Sequence, residues 1–414
     1  MPADAFVLRE TEALDFLVYQ GWAYEALEGC AALTNARRLA SDTLERLRAE
    51  GMAFGDGAGG PRYDPVALMD AVTDLGLRGR DPTFLGAIVP KGRRMVDESA
   101  ARLARAPGGV RGFDVEFRRE IPEERRASLR RVTLPLPLED QQQRIGALSV
   151  ESPRDTAIVR REGRLSFTGR GLAGAGALVV AARFRLEVGG CEVSRPEPAG
   201  SGVDPMELRR REGLVVVTPR IHETARRWTS GATTHVERIA RIWDELLARI
   251  RVQRIHYDAL PQDDPLGSIL DDGKCDCQSD SALLVAMCRS LGIPARIVGG
   301  YNLYPVAVTP HYWFEAMLED GIWRPFDHAV SWMLAGGDAS NQTRGRQFFG
   351  RVDARMKTQR LPRVFTAPAS ALPLRWAYLE RFVDGVHEGA VIDRSDGGTF
   401  QRDLLRVVER EAEP

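Results

Sequence analysis

At 414 residues, 43% hydrophobic and 28% charged, the chain has an ordinary globular composition and is long enough for two or three domains, each with its own core. Its 57 basic residues stand against 58 acidic ones, so no net field draws in nucleic acid or anionic lipid. No run approaches the ~18 apolar residues of a membrane span.

Only Lys91, Lys274 and Lys357 among the basic residues are lysines, which makes self-crosslinking through lysine an unpromising purpose. Cys30, Cys191, Cys275, Cys277 and Cys288 form an odd, sparse set, which argues against a disulfide framework and for a reducing compartment. The opening Met1-Pro2-Ala3-Asp4-Ala5 carries an acid and no apolar core, unlike a secretory signal, so a cytoplasmic location is expected.

Residues 1–106 are expected to form a helical domain. Phe16, Tyr19, Ala23 and Leu27, then Leu44 and Leu47, recur at three-to-four spacing, with a glycine-rich break over residues 55–61. Residues 107–200 read as a β-rich, sandwich-like domain, in which Phe113, Val115 and Phe117 alternate with charges, as do Val132, Leu134 and Leu136. Pro, Gly and Ser over residues 194–203 suggest a linker.

The third region, 201–340, opens with two helices, over residues 219–230 and 234–251. Thr233-Thr234 stands as the cap of the second, whose apolar stripe is Val236, Ile239, Ile242, Leu246 and Ile250. Residues 264–273 are expected to form a loop. From Cys277 to Leu291 the sequence turns so apolar that the helix should be buried on most sides, with Gly292 placed to end it. Strands follow over 293–301, 311–318 and 322–326, the last two joined by the Glu319-Asp320-Gly321 turn. Residues 341–414 read as a mixed C-terminal extension.

Cys277 stands at the start of the buried helix, where unpaired backbone N–H groups and the helix dipole favour an anionic sulfur. Such a nucleophile needs a base in reach and a third polar group to fix the base's tautomer. The hairpin offers both, with His311 on one strand and Asp327 just past the next. Adjacent strands lie ~4.8 Å apart, close enough for a His–Asp contact.

Three blocks carry a resemblance. Gly273-Lys274-Cys275-Asp276-Cys277 with Cys288-Arg289-Ser290-Leu291-Gly292-Ile293-Pro294-Ala295-Arg296 and Gly300-Tyr301 resembles the cysteine, helix and "GY" strand of the transglutaminase-like superfamily. His311-Tyr312-Trp313-Phe314-Glu315 is similar to its "H-x-W-x-E" strand, and Trp323-Arg324-Pro325-Phe326-Asp327 to its "W-x-x-x-D" strand. The match spans residues 214–330. The β-rich region, with Leu134-Pro135-Leu136-Pro137, more weakly resembles the N-terminal β domain of bacterial members.

The resemblance implies an α+β fold. A papain-like core, in which the nucleophile's helix packs on an antiparallel sheet, follows a β-sandwich-like domain and an N-terminal helical region. It also implies a Cys277-His311-Asp327 triad that performs acyl transfer or hydrolysis on an amide or thioester through an acyl-enzyme thioester, with no cofactor and no metal. The acyl donor would be a peptide, protein or thioester, and the acceptor an amine or water. A carrier or protein partner could engage the N-terminal domains. The Cys277 backbone N–H is the first candidate for an oxyanion donor, and the second is unassigned.

Two alternatives stay open: an amide synthase drawing on a carrier-bound thioester, and a binding protein that keeps the fold without turnover. Cys275 competes as nucleophile because it satisfies the Gly-x-Cys part of the motif, but twelve residues before Arg289 stands Cys277. Asp276 and Asp280 flank the sulfur and would oppose a thiolate, although Asp276 is also placed to cap the helix. Where the family has "D-P-T", this chain has Asp327-His328-Ala329, so His328 would perturb Asp327 or face solvent. Cys275 and Cys277 with His311 and His328 lack the spacing of a zinc site, and no acidic cluster resembles a calcium loop. Arg289, Arg296, Trp313, Glu315 and Trp323 are expected to brace the structure. Gly299-Gly300 reads as turn material.

Overall fold

The computed structural model describes residues 109–140, 142–189, 208–252, 260–261, 263–304, 307–335, 345–360, 376–383, 386–393 and 399–410, with short pieces between 8 and 102. Most of the expected N-terminal helical domain and the whole 194–203 linker therefore lie outside the described residues. Within the first part, Leu8–Arg9, Ala53–Phe54 and Arg62–Tyr63 pair as a small antiparallel sheet.

The β-rich region folds as its alternation dictates. Strands β1 (Val110–Ile121), β2 (Val132–Pro135), β3 (Gln143–Glu151), β4 (Ala157–Arg161), β5 (Arg164–Thr168) and β6 (Leu178–Gly189) divide between two sheets. Their inward residues, among them Phe113, Val115, Phe117, Leu134, Phe167 and Phe184, share one buried core. Alternation in β1 buries Phe113, Val115, Phe117 and Ile121, as a half-exposed sheet requires.

The core of the molecule then builds around one helix. Helix α1 (Pro219–Trp228) starts on Thr218, and α2 (His235–Arg249) on a capping box of Thr234 and Glu237. Residues 265–272, expected as loop, form α3 (Pro265–Asp272). Asp264 accepts the Gly267 N–H as its cap, Pro265 opens it, and Gly273 ends it at a φ of 64°. Its cap, opening proline and final glycine are the local signals that the loop expectation passed over. Helix α4 (Cys277–Ser290) is buried at every position from Gln278 onward and packs among Trp243, Phe314 and Phe326.

Strands β7 (Ala295–Tyr304), β8 (Ala307–Met317) and β9 (Trp323–Phe326) follow. The β7 and β8 strands run further than expected, pairing Tyr304 with Ala307 and taking Pro310 into the ladder opposite Tyr301. Gly299 and Gly300, expected as turn residues, lie inside β7. Helix α5 (His328–Ala335) leaves directly from β9.

The stretch set apart as a C-terminal extension is built into both halves. Its first strand, β10 (Arg355–Arg360), is the outer neighbour of β7, giving a four-stranded antiparallel sheet in the order β9-β8-β7-β10. The later strands β11 (Trp376–Val383), β12 (Val386–Asp393) and β13 (Thr399–Glu409) complete a six-stranded sheet, β11-β12-β13-β1-β6-β3, in which Leu405 lies opposite Phe117. Such long-range pairing leaves no local mark, because a strand's alternation does not name its partner.

The two halves meet through a buried polar knot on β10. Lys357 Nζ lies 3.3 Å from Glu315 Oε1, also pairs with Asp140, and donates to Gln142. Glu315 takes Arg296 at 2.8 Å on its other side, and that guanidinium lies 4.0 Å above the Trp323 ring. Burial alone would raise the Glu315 carboxyl, but Lys357 and Arg296 bring it down to about 2. Its stabilising effect is therefore complete above the ordinary 4.5 and is lost as pH falls towards 2.

Lys357→Met should cost about 3 kcal/mol in urea unfolding at neutral pH, because it leaves buried carboxylates short of a cation. The variant should also lose less stability than wild type between about pH 5 and pH 2. An unchanged acid profile would refute the role given to this lysine.

Candidate active site

The site begins at a helix cap. Asp276 accepts the N–H groups of Gln278 at 3.1 Å and Ser279 at 2.9 Å, while Ser279 Oγ takes the Asp276 N–H at 2.9 Å. This reciprocal cap fixes Cys277 as the first residue of α4. Cys277 is half-buried, whereas Cys275 and Cys288 are buried and burial pushes the Cys288 thiol up to about 12.

The Cys277 sulfur rests against β8. Strand β9 pairs with β8 only as far as Phe314 opposite Phe326, so among the described residues the β8 edge beyond that point has no ladder partner on that side. There the Tyr312 N–H donates to the Cys277 sulfur. Burial, followed by the Asp276 carboxylate, pushes the thiol well above its ordinary range, and Asp327 and Asp280 push the same way. The Tyr312 N–H opposes them. The surroundings of the sulfur thus favour its protonated form.

Next to Tyr312 stands His311, buried and stacked on Trp313 with ring centroids 6.3 Å apart. Its Nε2 lies 2.8 Å from Asp327 Oδ2. Burial would raise the Asp327 carboxyl, yet His311 and then Arg355 hold it well below the usual carboxylate range. An ionised carboxylate only accepts, so Nε2 carries a proton and Nδ1 is the ring nitrogen that the carboxylate leaves uncommitted. Among the described contacts none joins the Cys277 sulfur to the imidazole, and the two groups are neighbours by way of Tyr312. Sulfur–imidazole bonds of this kind commonly tighten only when substrate binds.

Asp327 itself is held from three directions. Beyond His311, its Oδ1 accepts the Val330 N–H at 3.1 Å, capping α5, and its Oδ2 accepts Arg355 Nη2 at 2.7 Å. Arg355 is itself tied to the Tyr304 hydroxyl at 2.5 Å and the Asp353 carbonyl at 2.8 Å. No sequence signal marked Arg355, which lies 28 residues past Asp327 on the far strand of the sheet. Its approach depends on Gly300, opposite His311, where a Cβ would fall 1.8 Å from the Met356 carbonyl oxygen on β10.

His328 neither touches Asp327 nor meets solvent. It is buried edge-on against Trp243, centroids 4.9 Å apart, with Nδ1 2.9 Å from Asp280 Oδ1, an ion-pair distance outside hydrogen-bonding geometry. Asp280 also faces Cys275, whose thiol burial and then Asp280 push well up. Cys275 is fully buried, which separates it from any substrate. Among the described residues no group of three or more His, Cys, Asp or Glu side chains is arranged to hold a metal ion. Arg289 ties the end of α4 to Glu212 at 2.8 Å and to the Ala295 carbonyl at 2.8 Å.

Arg355→Met should destabilise the protein by about 3 kcal/mol in urea unfolding, since the buried Asp327 charge loses a partner. Asp327→Asn in the same background should recover part of that loss. Additive costs for the two substitutions would show that they do not act as a pair.

A sequence model of the transglutaminase-like superfamily matches residues 222–328, which include all three of Cys277, His311 and Asp327. No curated protein matches the chain. Among solved structures, a protein from Cytophaga hutchinsonii provisionally titled a cysteine protease is 12% identical, with 74% of this chain and 93% of that one covered and a TM-score of 0.43. The periplasmic domain of TgpA from Pseudomonas aeruginosa is 16% identical over 58% of this chain and 94% of its own, with a TM-score of 0.31. The segment built on α4 and the β7–β9 sheet is a transglutaminase-like core, and residues 222–328 match the transglutaminase-like superfamily.

Proposed function

We propose that the protein is a thiol-dependent enzyme of acyl transfer or hydrolysis, with Cys277 as nucleophile, His311 as general base and Asp327 as the group that orients the histidine. The observation that carries this reading is the buried Nε2–Asp327 bond of 2.8 Å beside a half-buried sulfur at a helix start. It commits one imidazole nitrogen to the carboxylate and leaves the other for the reacting proton.

Because its surroundings favour the protonated thiol, the sulfur loses its proton to Nδ1 as it attacks the carbonyl carbon of an amide, ester or thioester. The carbonyl oxygen takes up the electron pair and becomes an oxyanion, for which the Cys277 N–H is a candidate donor. Collapse expels the leaving group with the proton from Nδ1, giving a thioester-bound acyl-enzyme. Water or an amine then gives its proton to Nδ1, attacks the same carbon, and releases the product with the thiol restored.

Reactive thiols suit a reducing compartment, and we place the protein in the cytoplasm. Among the described residues no helix is long and apolar enough to cross a membrane. One observation favours a second reading, a binding protein without turnover: burial and three acids all hold the Cys277 proton on.

Mass spectrometry after brief iodoacetamide treatment should find Cys277 modified ahead of Cys275 and Cys288. His311→Ala should slow that labelling by about 10²-fold, the usual effect of a general base. Incubation with thioester and amide donors should add one acyl mass to wild type and none to Cys277→Ala. Labelling spread evenly over the thiols, with no acyl adduct, would favour the binding protein.

A further inference from the structure

The sulfur sits on the open edge of β8 between two residues whose side chains leave the strand on opposite faces, as successive strand residues must. His311 shares one face with Trp313 and Glu315. Tyr312 belongs to the other, the face covered by α4, where it packs at the margin of that helix's core. Its neighbours His311 and Trp313 are buried, and Tyr312 itself is half-buried.

Tyr312 heads a row of three residues across three strands, since Gly299 lies opposite Tyr312 on β8 and opposite Gln359 on β10. The central glycine lets the outer side chains close over it. A Cβ there would fall 2.7 Å from Tyr312 Cε1 and 2.9 Å from Gln359 Nε2. The Gln359 amide donates to the phenol oxygen, which orients the hydroxyl and leaves its own hydrogen to be given elsewhere.

A β-bulge makes this pairing possible. The ladder passes from Gly299–Gln359 to Gly300–Lys357, so Thr358 is the extra residue. Strict alternation would put Lys357 and Gln359 on one face. Instead Lys357 reaches Glu315 on the His311 face, and Gln359 reaches Tyr312 on the α4 face.

Resting on the acyl-transfer reading, we propose that Tyr312, with its hydroxyl set by Gln359, is the second donor to the oxyanion formed when Cys277 attacks. The base then stands on one side of the sulfur, and the phenol stands on the other with the α4 N-terminus. As the carbonyl carbon gains its bond to sulfur, the negative oxygen accepts from the Cys277 N–H and from Tyr312 Oη–H. No proton is transferred by the phenol, and collapse of the adduct returns both donors unchanged.

Two reagents separate this role from packing. Iodoacetamide alkylates the sulfur by displacing iodide at a saturated carbon, so no oxyanion forms, whereas p-nitrophenyl acetate acylates it through one. Wild type, Tyr312→Phe and Gln359→Leu would be followed by mass spectrometry at Cys277, with Cys277→Ala as the background. Tyr312→Phe should acylate about 10²-fold more slowly while its alkylation rate stays within about 2-fold. Gln359→Leu, an exposed position, should show a smaller loss of the same kind.

Equal acylation in Tyr312→Phe and wild type, or a parallel fall in both reactions, overturns the donor role. A wild-type protein that is alkylated at Cys277 but accepts no acetyl group overturns the acyl-transfer reading itself.

Discussion

The Asp327 carboxylate is the constraint on which the site depends. It is fully buried, and a buried carboxylate without partners would be neutral rather than ionised. Its charge persists because β8 brings His311, β10 brings Arg355 and the first turn of α5 brings the Val330 N–H. Each donor comes from a different element. Fixing the charge therefore fixes the mutual placement of the sheet, the helix and the far strand, and it also dictates which imidazole nitrogen is free.

The sulfur is governed by the opposite arrangement. A helix start favours an anion, but the cap that creates this start is itself a carboxylate. Asp276 secures the geometry of Cys277 and at the same time holds its proton on, and burial does the same more strongly. These surroundings favour the protonated thiol. Such a site avoids a standing thiolate. On the proposed acyl-transfer reading, activation falls to His311 and to whatever stabilises the developing oxygen charge.

Much of this was legible in the sequence because it is local. The apolar run after Cys277, the cap at Asp276 and the strand–turn–strand around Glu319-Asp320-Gly321 each lie within a few residues of one another, and helix and hairpin rules act over that range. The positions of Cys277, His311 and Asp327 followed from those elements together with the family blocks. Arg355, Gln359 and the partnership of Gly299 with Tyr312 did not, since each rests on a pairing between strands that are far apart in the chain. His328 was misread for a related reason. Its burial depends on Trp243 and Asp280, which neither its neighbours nor its spacing reveal.

The β-rich region supports the site as well. Its core continues without a break into Leu303, Tyr304, Val308 and Met356, so the far end of the β7–β8 hairpin and β10 form a wall of the sandwich. Tyr304 stands in that wall and binds Arg355, and Arg111 on β1 pairs with Asp353 at 2.7 Å, whose carbonyl also holds Arg355. The chain of contacts from β1 to His311 thus passes through one strand, β10. Below its bulge that strand braces the carboxylate and the β-rich region, and above it the same strand turns Gln359 towards the sulfur's other flank. A single inserted residue, Thr358, lets one strand serve both faces of the sheet, which a regular strand of alternating side chains could not do.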